Sequence, residues 1–183
     1  MNIHGKRVRA AVAFGVALAG TVALGTSPAS AKASDGWVRG YGAVTDDWSD
    51  EGVLHDRSRV SNAVCLWQKI LWAEGVHKSG GKRFALSDVN GKFTYDTKVA
   101  TKNLQYRFNL GADGVVGPAT FGRADVKLSI SSGSTAKGKK LYLTYLGAAH
   151  NFSIVRNTQG KYVFKDKAGD WRQAGYNYRT CAT

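Results

Sequence analysis

The sequence predicts an α+β protein, with a helical region at residues 58–125 followed by a small antiparallel β module at 139–183. Three observations predict it. Apolar residues recur at three- and four-residue spacing after Ser58, Tyr, Val, Ile and Phe dominate short segments after Lys139, and a Ser/Gly/Lys-rich stretch separates the two. The chain has 183 residues, 43% hydrophobic and 21% charged, a composition that excludes a largely disordered or collagen-like protein.

Residues 1–31 read as a secretory signal. Lys6, Arg7 and Arg9 form a positive start, Ala10 to Gly25 is apolar, and Ala29-Ser30-Ala31 offers small residues for cleavage. Cleavage after Ala33 is the alternative. The apolar run is short for a membrane span, so no membrane association is expected after cleavage, and the mature protein is expected outside the cell or in its wall. Export gives the two cysteines a meaning. Cys65 and Cys181 are the only ones, and an even pair in an oxidising compartment reads as one disulfide.

Residues 32–57 form a polar N-terminal segment. Asp46, Asp47, Asp50 and Glu51 cluster there without the spacing of a calcium loop and read as a solvated segment, while Trp37, Tyr41 and Trp48 suggest that parts of it pack. A first helix follows, capped by Ser58 or Ser61. Val60, Ala63, Val64, Trp67, Ile70 and Leu71 make its apolar face, and Gly75 stops it. Cys65 and Trp72 mark a neighbouring face on which the C-terminal module would dock. A second helix is predicted from about Asp96, its N-cap, to Phe108, with Val99, Leu104 and Phe108 buried. A third starts at Pro118. Residues 126–138 read as a linker. Strands are predicted at Lys140–Leu146, Asn151–Arg156, Lys161–Lys165 and Trp171–Arg179, with turns at 157–160 and 167–170.

An internal repeat runs through the helical region. Asn90-Gly91-Lys92-Phe93-Thr94-Tyr95-Asp96-Thr97 lies 23 residues before Asp113-Gly114-Val115-Val116-Gly117-Pro118-Ala119-Thr120. Trp67-Gln68 with Leu71 likewise echoes Leu104-Gln105 with Phe108. In each turn the Asx-Gly pair bends the chain, Phe93 or Val116 plugs into the core, and Thr97 or Thr120 sits near a helix start, where its hydroxyl can satisfy backbone donors. Gly117 precedes the first-turn proline.

These residues resemble the peptidoglycan-binding domain common at the ends of bacterial wall hydrolases. The carrying segments are VCLWQKIL, NGKFTYDT and TKNLQYRFNLGADGVVGPAT, over about 68 residues. Two positions depart from the family pattern: Asn90 replaces the usual Asp and Thr94 the usual Gly. The loop from Gly75 to Asp88 is also longer than typical. The resemblance implies a three-helix fold connected by the two turns, and binding to wall peptidoglycan. Lys92, Lys98, Lys102 and Arg107 are then candidates for carboxylates of the stem peptide, and Tyr95, Tyr106 or Tyr145 for stacking on a sugar or alkyl face.

Charge adds a second element. Lys and Arg number 26 against 13 Asp and Glu, a formal +13, so anionic wall polymers are expected partners. Charge is the only feature pointing to nucleic acid, and no such partner is expected. Catalytic patterns are lacking. His55, His77 and His150 have no zinc spacing, Cys65 sits within a helix, and Glu is scarce. The sequence therefore predicts a secreted non-catalytic binder without cofactor or metal. The alternatives are a wall-anchored inhibitor or interaction protein using the aromatic C-terminal module, or a small wall hydrolase.

Overall fold

In the computed structural model, which describes Met1 and residues 35–181, the fold is α+β. The expected signal lies outside the described residues, as do residues 32–34. Among the described residues there are three α-helices, α1 (Asn62–Glu74), α2 (Tyr95–Arg107) and α3 (Pro118–Asp125). Five strands follow in chain order: β1 (Leu128–Gly133), β2 (Leu141–Leu146), β3 (Asn151–Arg156), β4 (Tyr162–Lys165) and β5 (Trp171–Gln173). They form one antiparallel meander in the order β1-β2-β3-β4-β5. No helix among the described residues is long and apolar enough to cross a membrane.

Helix α1 starts where the Ser61 hydroxyl accepts the Val64 amide at 3.2 Å, which settles the choice between Ser58 and Ser61. It ends at Gly75, whose φ of 60° is left-handed and lets its amide reach back to the Leu71 and Trp72 carbonyls. The sequence suggests one apolar face, yet every residue of α1 except Trp72 is buried. Val60, expected on that face, precedes the cap and is exposed. Such a helix must be surrounded, and α1 is: by α2 and α3, by the sheet, and by the C-terminal tail.

The repeat has a physical explanation in two buried glutamines. Gln68 Oε1 accepts the Asn90 and Gly91 amides at 2.9 and 2.8 Å, and its Nε2 donates to Asn90 Oδ1, the Lys92 carbonyl and Thr97 Oγ1. Gln105 repeats this: Oε1 accepts the Gly114 amide at 2.8 Å, and Nε2 donates to Asp113 Oδ1, the Val115 carbonyl and Thr120 Oγ1. Each glutamine satisfies the polar groups of a tight turn that would otherwise be buried unpaired. The threonine hydroxyls thus accept from glutamine side chains, not from backbone donors. The N-cap of α2 is Thr94, accepting the Thr97 amide, rather than Asp96, which instead accepts the Ser79 hydroxyl. Phe93 and Val116 are buried as expected, and Leu104 and Phe108 with them, while Val99 is only half-buried.

Three sequence expectations are corrected. Residues 128–133, read as linker, are strand β1. Only Leu128 faces the core, so this edge strand keeps a linker-like composition while β2 supplies its ladder. The last strand ends at Gln173, not Arg179. Beyond it the chain crosses the start of α1, where the Gly175 and Tyr178 carbonyls accept the Ala63 and Asn62 amides. The segment from Asp35 to Leu54 does not lie solvated. Val38, Trp48, Leu54, Asp47 and Glu51 are buried, and residues 36–40 bond to residues 160–162 and 174–176 beside β4 and β5.

Helices and sheet share one core, in which Trp67, Phe121, Trp48 and Tyr162 meet edge to face at centroid distances of 5.1 to 6.1 Å. The Cys65–Cys181 disulfide ties the C-terminal end to α1, and beyond it Trp72 stacks on His150 at 4.5 Å. Of the C-terminal aromatics, Tyr145, Phe152, Tyr162, Phe164 and Tyr176 are core residues.

Two stability outcomes follow from this packing. Gln68→Ala and Gln105→Ala should each cost about 2–4 kcal/mol in urea unfolding, because each strands buried turn donors. Reducing the disulfide, which spans 116 residues, should cost about 5 kcal/mol through the unfolded chain, read as a lower urea midpoint with dithiothreitol present.

Candidate functional site

Helix α2 presents one solvent face. Tyr95, Lys98, Lys102 and Tyr106 lie three, four and four residues apart and so form a single ridge. Tyr95 is 72% and Tyr106 81% exposed, unusual for rings that could have packed inward. Thr94 and Gln68 fix the start of the helix, and Gln105 fixes its last turn. Gly114, at φ 79°, lies beneath the ridge. A side chain there would come within 2.8 Å of Lys98 Cγ and 3.2 Å of Lys102 Cγ, so the second Asx-Gly turn supports both lysine stems.

The six sequence candidates divide accordingly. Tyr95, Lys102 and Tyr106 are exposed on the ridge, and Lys92 is exposed on the turn before it. Lys98 belongs to the ridge but is paired with Asp56 at 2.8 Å, and this hydrogen bond holds the Asp56 carboxyl below its usual range. Arg107 has a structural duty. Its guanidinium donates to the Glu74 carbonyl at 2.7 Å and to Glu74 Oε2 at 3.0 Å, neutralising a buried carboxylate. Tyr145, also considered for stacking, is buried and donates its hydroxyl to Glu74 Oε1 at 2.9 Å. Beside the ridge, a groove of about 340 Å³ opens between Val53, Leu110, Val115 and Pro118.

A second polar cluster is buried: its Asp47 and Glu51 come from the acidic segment read as solvated, and its Asp125 from the end of α3. Asp47 accepts Arg156 Nη1 at 2.6 Å and the Tyr162 hydroxyl, with both members of the ion pair buried. Glu51 accepts the Arg39 amide at 2.9 Å and the Tyr176 hydroxyl at 2.7 Å. Asp125 accepts the Trp48 amide at 2.8 Å. Among the described residues, Asp47 Oδ1 and Asp125 Oδ1 have no partner. Burial pushes Glu51 and Asp125 each up to about 7 and raises Asp47, its hydrogen bonds from Tyr162 and Arg156 opposing the shift.

A carboxyl titrating near 7 has the proton affinity of a general acid. Glu51 and Asp125 are fully buried, however, and cannot reach a substrate. Their arrangement joins the N-terminal segment to the sheet and α3. Among the described residues no group of three or more His, Cys, Asp or Glu side chains is placed to hold a metal ion.

No protein-family model matches the chain, and comparison with curated proteins and with solved structures produced no match either.

The buried acids set a pH dependence. From the ordinary carboxylate range up to pH 7, the folded chain retains protons that the unfolded chain has released, so stability falls as pH rises through that window. Urea unfolding should show the protein at least about 2 kcal/mol more stable at pH 5 than at pH 8, and Glu51→Gln with Asp125→Asn should flatten that slope.

Proposed function

We propose that the protein is an exported, non-catalytic cell-wall protein that binds peptidoglycan through the solvent face of α2. The observation that carries this reading is the ridge itself, two exposed tyrosines with two lysines between them on a rigidly held helix. Pyranose and alkyl faces stack on tyrosine rings, and lysine ammonium groups pair with stem-peptide carboxylates. Lys92 extends the positive end of the ridge. The two glutamine-closed Asx-Gly turns agree with the helical fold that the resemblance implies. The apolar leader sequence and the disulfide agree with export. The formal charge of +13 adds a long-range attraction for anionic wall polymers. Burial of both raised carboxyls is the reason for reading the protein as a binder rather than a hydrolase.

Sedimentation with purified sacculi tests the proposal. At roughly 0.5 M salt, where screening cuts charge interactions to a few ångströms, pelleting should persist with sacculi stripped of teichoic acid. The Tyr95→Ala/Tyr106→Ala double variant should lose at least ~10-fold in affinity while its unfolding free energy in urea stays within about 0.5 kcal/mol of the parent. Pelleting that disappears with salt would assign binding to charge alone. Undiminished pelleting by the variant would remove α2 from the site.

A further inference from the structure

The solvent face of the sheet carries a second concave surface, remote in sequence from α2. Strand alternation turns Tyr142, Thr144 and Leu146 of β2 outward, because Leu141, Leu143 and Tyr145 face the core. Register then aligns Tyr142 with Val155 of β3, and Val155 with Val163 of β4. Trp171 of β5 stands opposite Lys165 of β4. A groove of about 300 Å³ results, lined by Tyr142, Val155, Val163, Trp171, Lys140 and Asn157.

Its two rings are each 46% exposed, and the valines form a low floor between them. Three strand spacings, about 14 Å, separate β2 from β5, a span that admits more than one pyranose ring. Cations flank both rings. Lys140 Nζ lies 5.9 Å from the Tyr142 ring centre, and Lys165 Nζ lies 5.4 Å from that of Trp171. The lining residues include no carboxylate. Asn157 uses its side-chain oxygen on the Gln159 and Lys161 amides, which leaves its NH₂ group to act as a donor in this lining. Outward-facing Thr144 and Ser153 lie across from one another on the same surface.

From this geometry we infer that the sheet face is a binding groove for an anionic glycan, a chain of pyranose rings bearing carboxylates. Ring faces would stack on Trp171 and Tyr142, hydroxyls would meet Asn157, and carboxylates would pair with Lys140 and Lys165. The dimensions suit a small-ligand groove. A stable protein partner requires about 800 Å² of its own surface buried, roughly 20–30 residues a side, whereas six residues line this groove. The inference goes beyond wall binding by α2 and does not rest on it.

The experiment is calorimetric titration of oxidised protein, residues 32–183, with oligogalacturonate, a neutral chitooligosaccharide serving as control. Binding of oligogalacturonate is expected, at least ~10-fold weaker for Trp171→Ala and for Tyr142→Ala, and within about 3-fold of the parent for Trp171→Phe, which keeps a ring. Lys140→Ala should weaken the binding and reduce its salt dependence. Tyr95→Ala/Tyr106→Ala should bind oligogalacturonate like the parent, which separates this groove from the α2 ridge. Absence of oligogalacturonate binding, equal affinity for the neutral control, or parent-like binding by both Trp171→Ala and Tyr142→Ala would each overturn the assignment. Urea midpoints of the variants confirm that they remain folded.

Discussion

Helix α1 is buried along almost its whole circumference, and it carries four polar side chains into that burial. Each must find partners, since an unpaired buried amide or charge costs a few kcal/mol. Each finds them in a different part of the chain. Asn62 bonds the C-terminal tail, accepting the Thr180 and Cys181 amides and donating to the Gln173 carbonyl. Gln68 closes the first Asx-Gly turn. Lys69 donates to the Lys165 carbonyl of β4. Glu74 collects Arg107 from α2, Tyr145 from β2 and Lys127 from the chain after α3. The helix thus organises the fold through directional bonds as well as apolar area, and the disulfide at Cys65 reinforces the first of these attachments.

The N-terminal segment solves a related problem at the other side of the core. It brings Asp47 and Glu51 inside, where Arg156, Tyr162 and Tyr176 meet them. Fully paired, such a network holds segments in one arrangement, whereas Asp125 and one oxygen of Asp47 are paired only in part. Burial is what raises these carboxyls, and their hydrogen bonds oppose only part of the shift. The same burial removes them from chemistry with an external substrate. The charge left on the surface is therefore mostly positive, and it is distributed over α2 and over the sheet face rather than gathered in one cleft.

The proposed binding uses two surfaces, the helical ridge of α2 and a shallow groove on the sheet. Both join aromatic rings to lysines, and both are mounted on elements fixed from beneath. Gly114 and Gln105 hold the ridge, and the register of β2 to β5 holds the groove. Two such surfaces on a rigid body would let one chain engage a polymer at two points, where the second contact gains from the effective concentration set by the first.

The helical half was largely legible in the sequence. Three-and-four spacing, Ser61, Gly75 and Pro118 mark their elements by local physics, and the Asx-Gly repeat exposes its own turns. The pairing of Cys65 with Cys181 follows from their number. The ridge was legible only in part: Lys98, Lys102 and Tyr106 share a helical face by arithmetic, but the sequence predicts a helix beginning at Asp96, which leaves Tyr95 outside it. Other features depended on the fold. Strand β1 is exposed at all but one position, so its identity comes from the ladder that β2 offers it. Arg107 and Tyr145 look like ligand contacts until the buried Glu74 between them comes into view. Asp47 and Glu51 read as solvated because a carboxylate's burial depends on partners more than 100 residues away. The sequence by itself determined the helices, the Asx-Gly turns and the crosslink, because these rest on contacts between near neighbours or on simple counting, whereas it left the cap of α1 open between Ser58 and Ser61 and put that of α2 at Asp96 in place of Thr94. Only the tertiary structure decided which polar groups are buried and which aromatic rings face solvent, because both depend on what the rest of the chain packs against them.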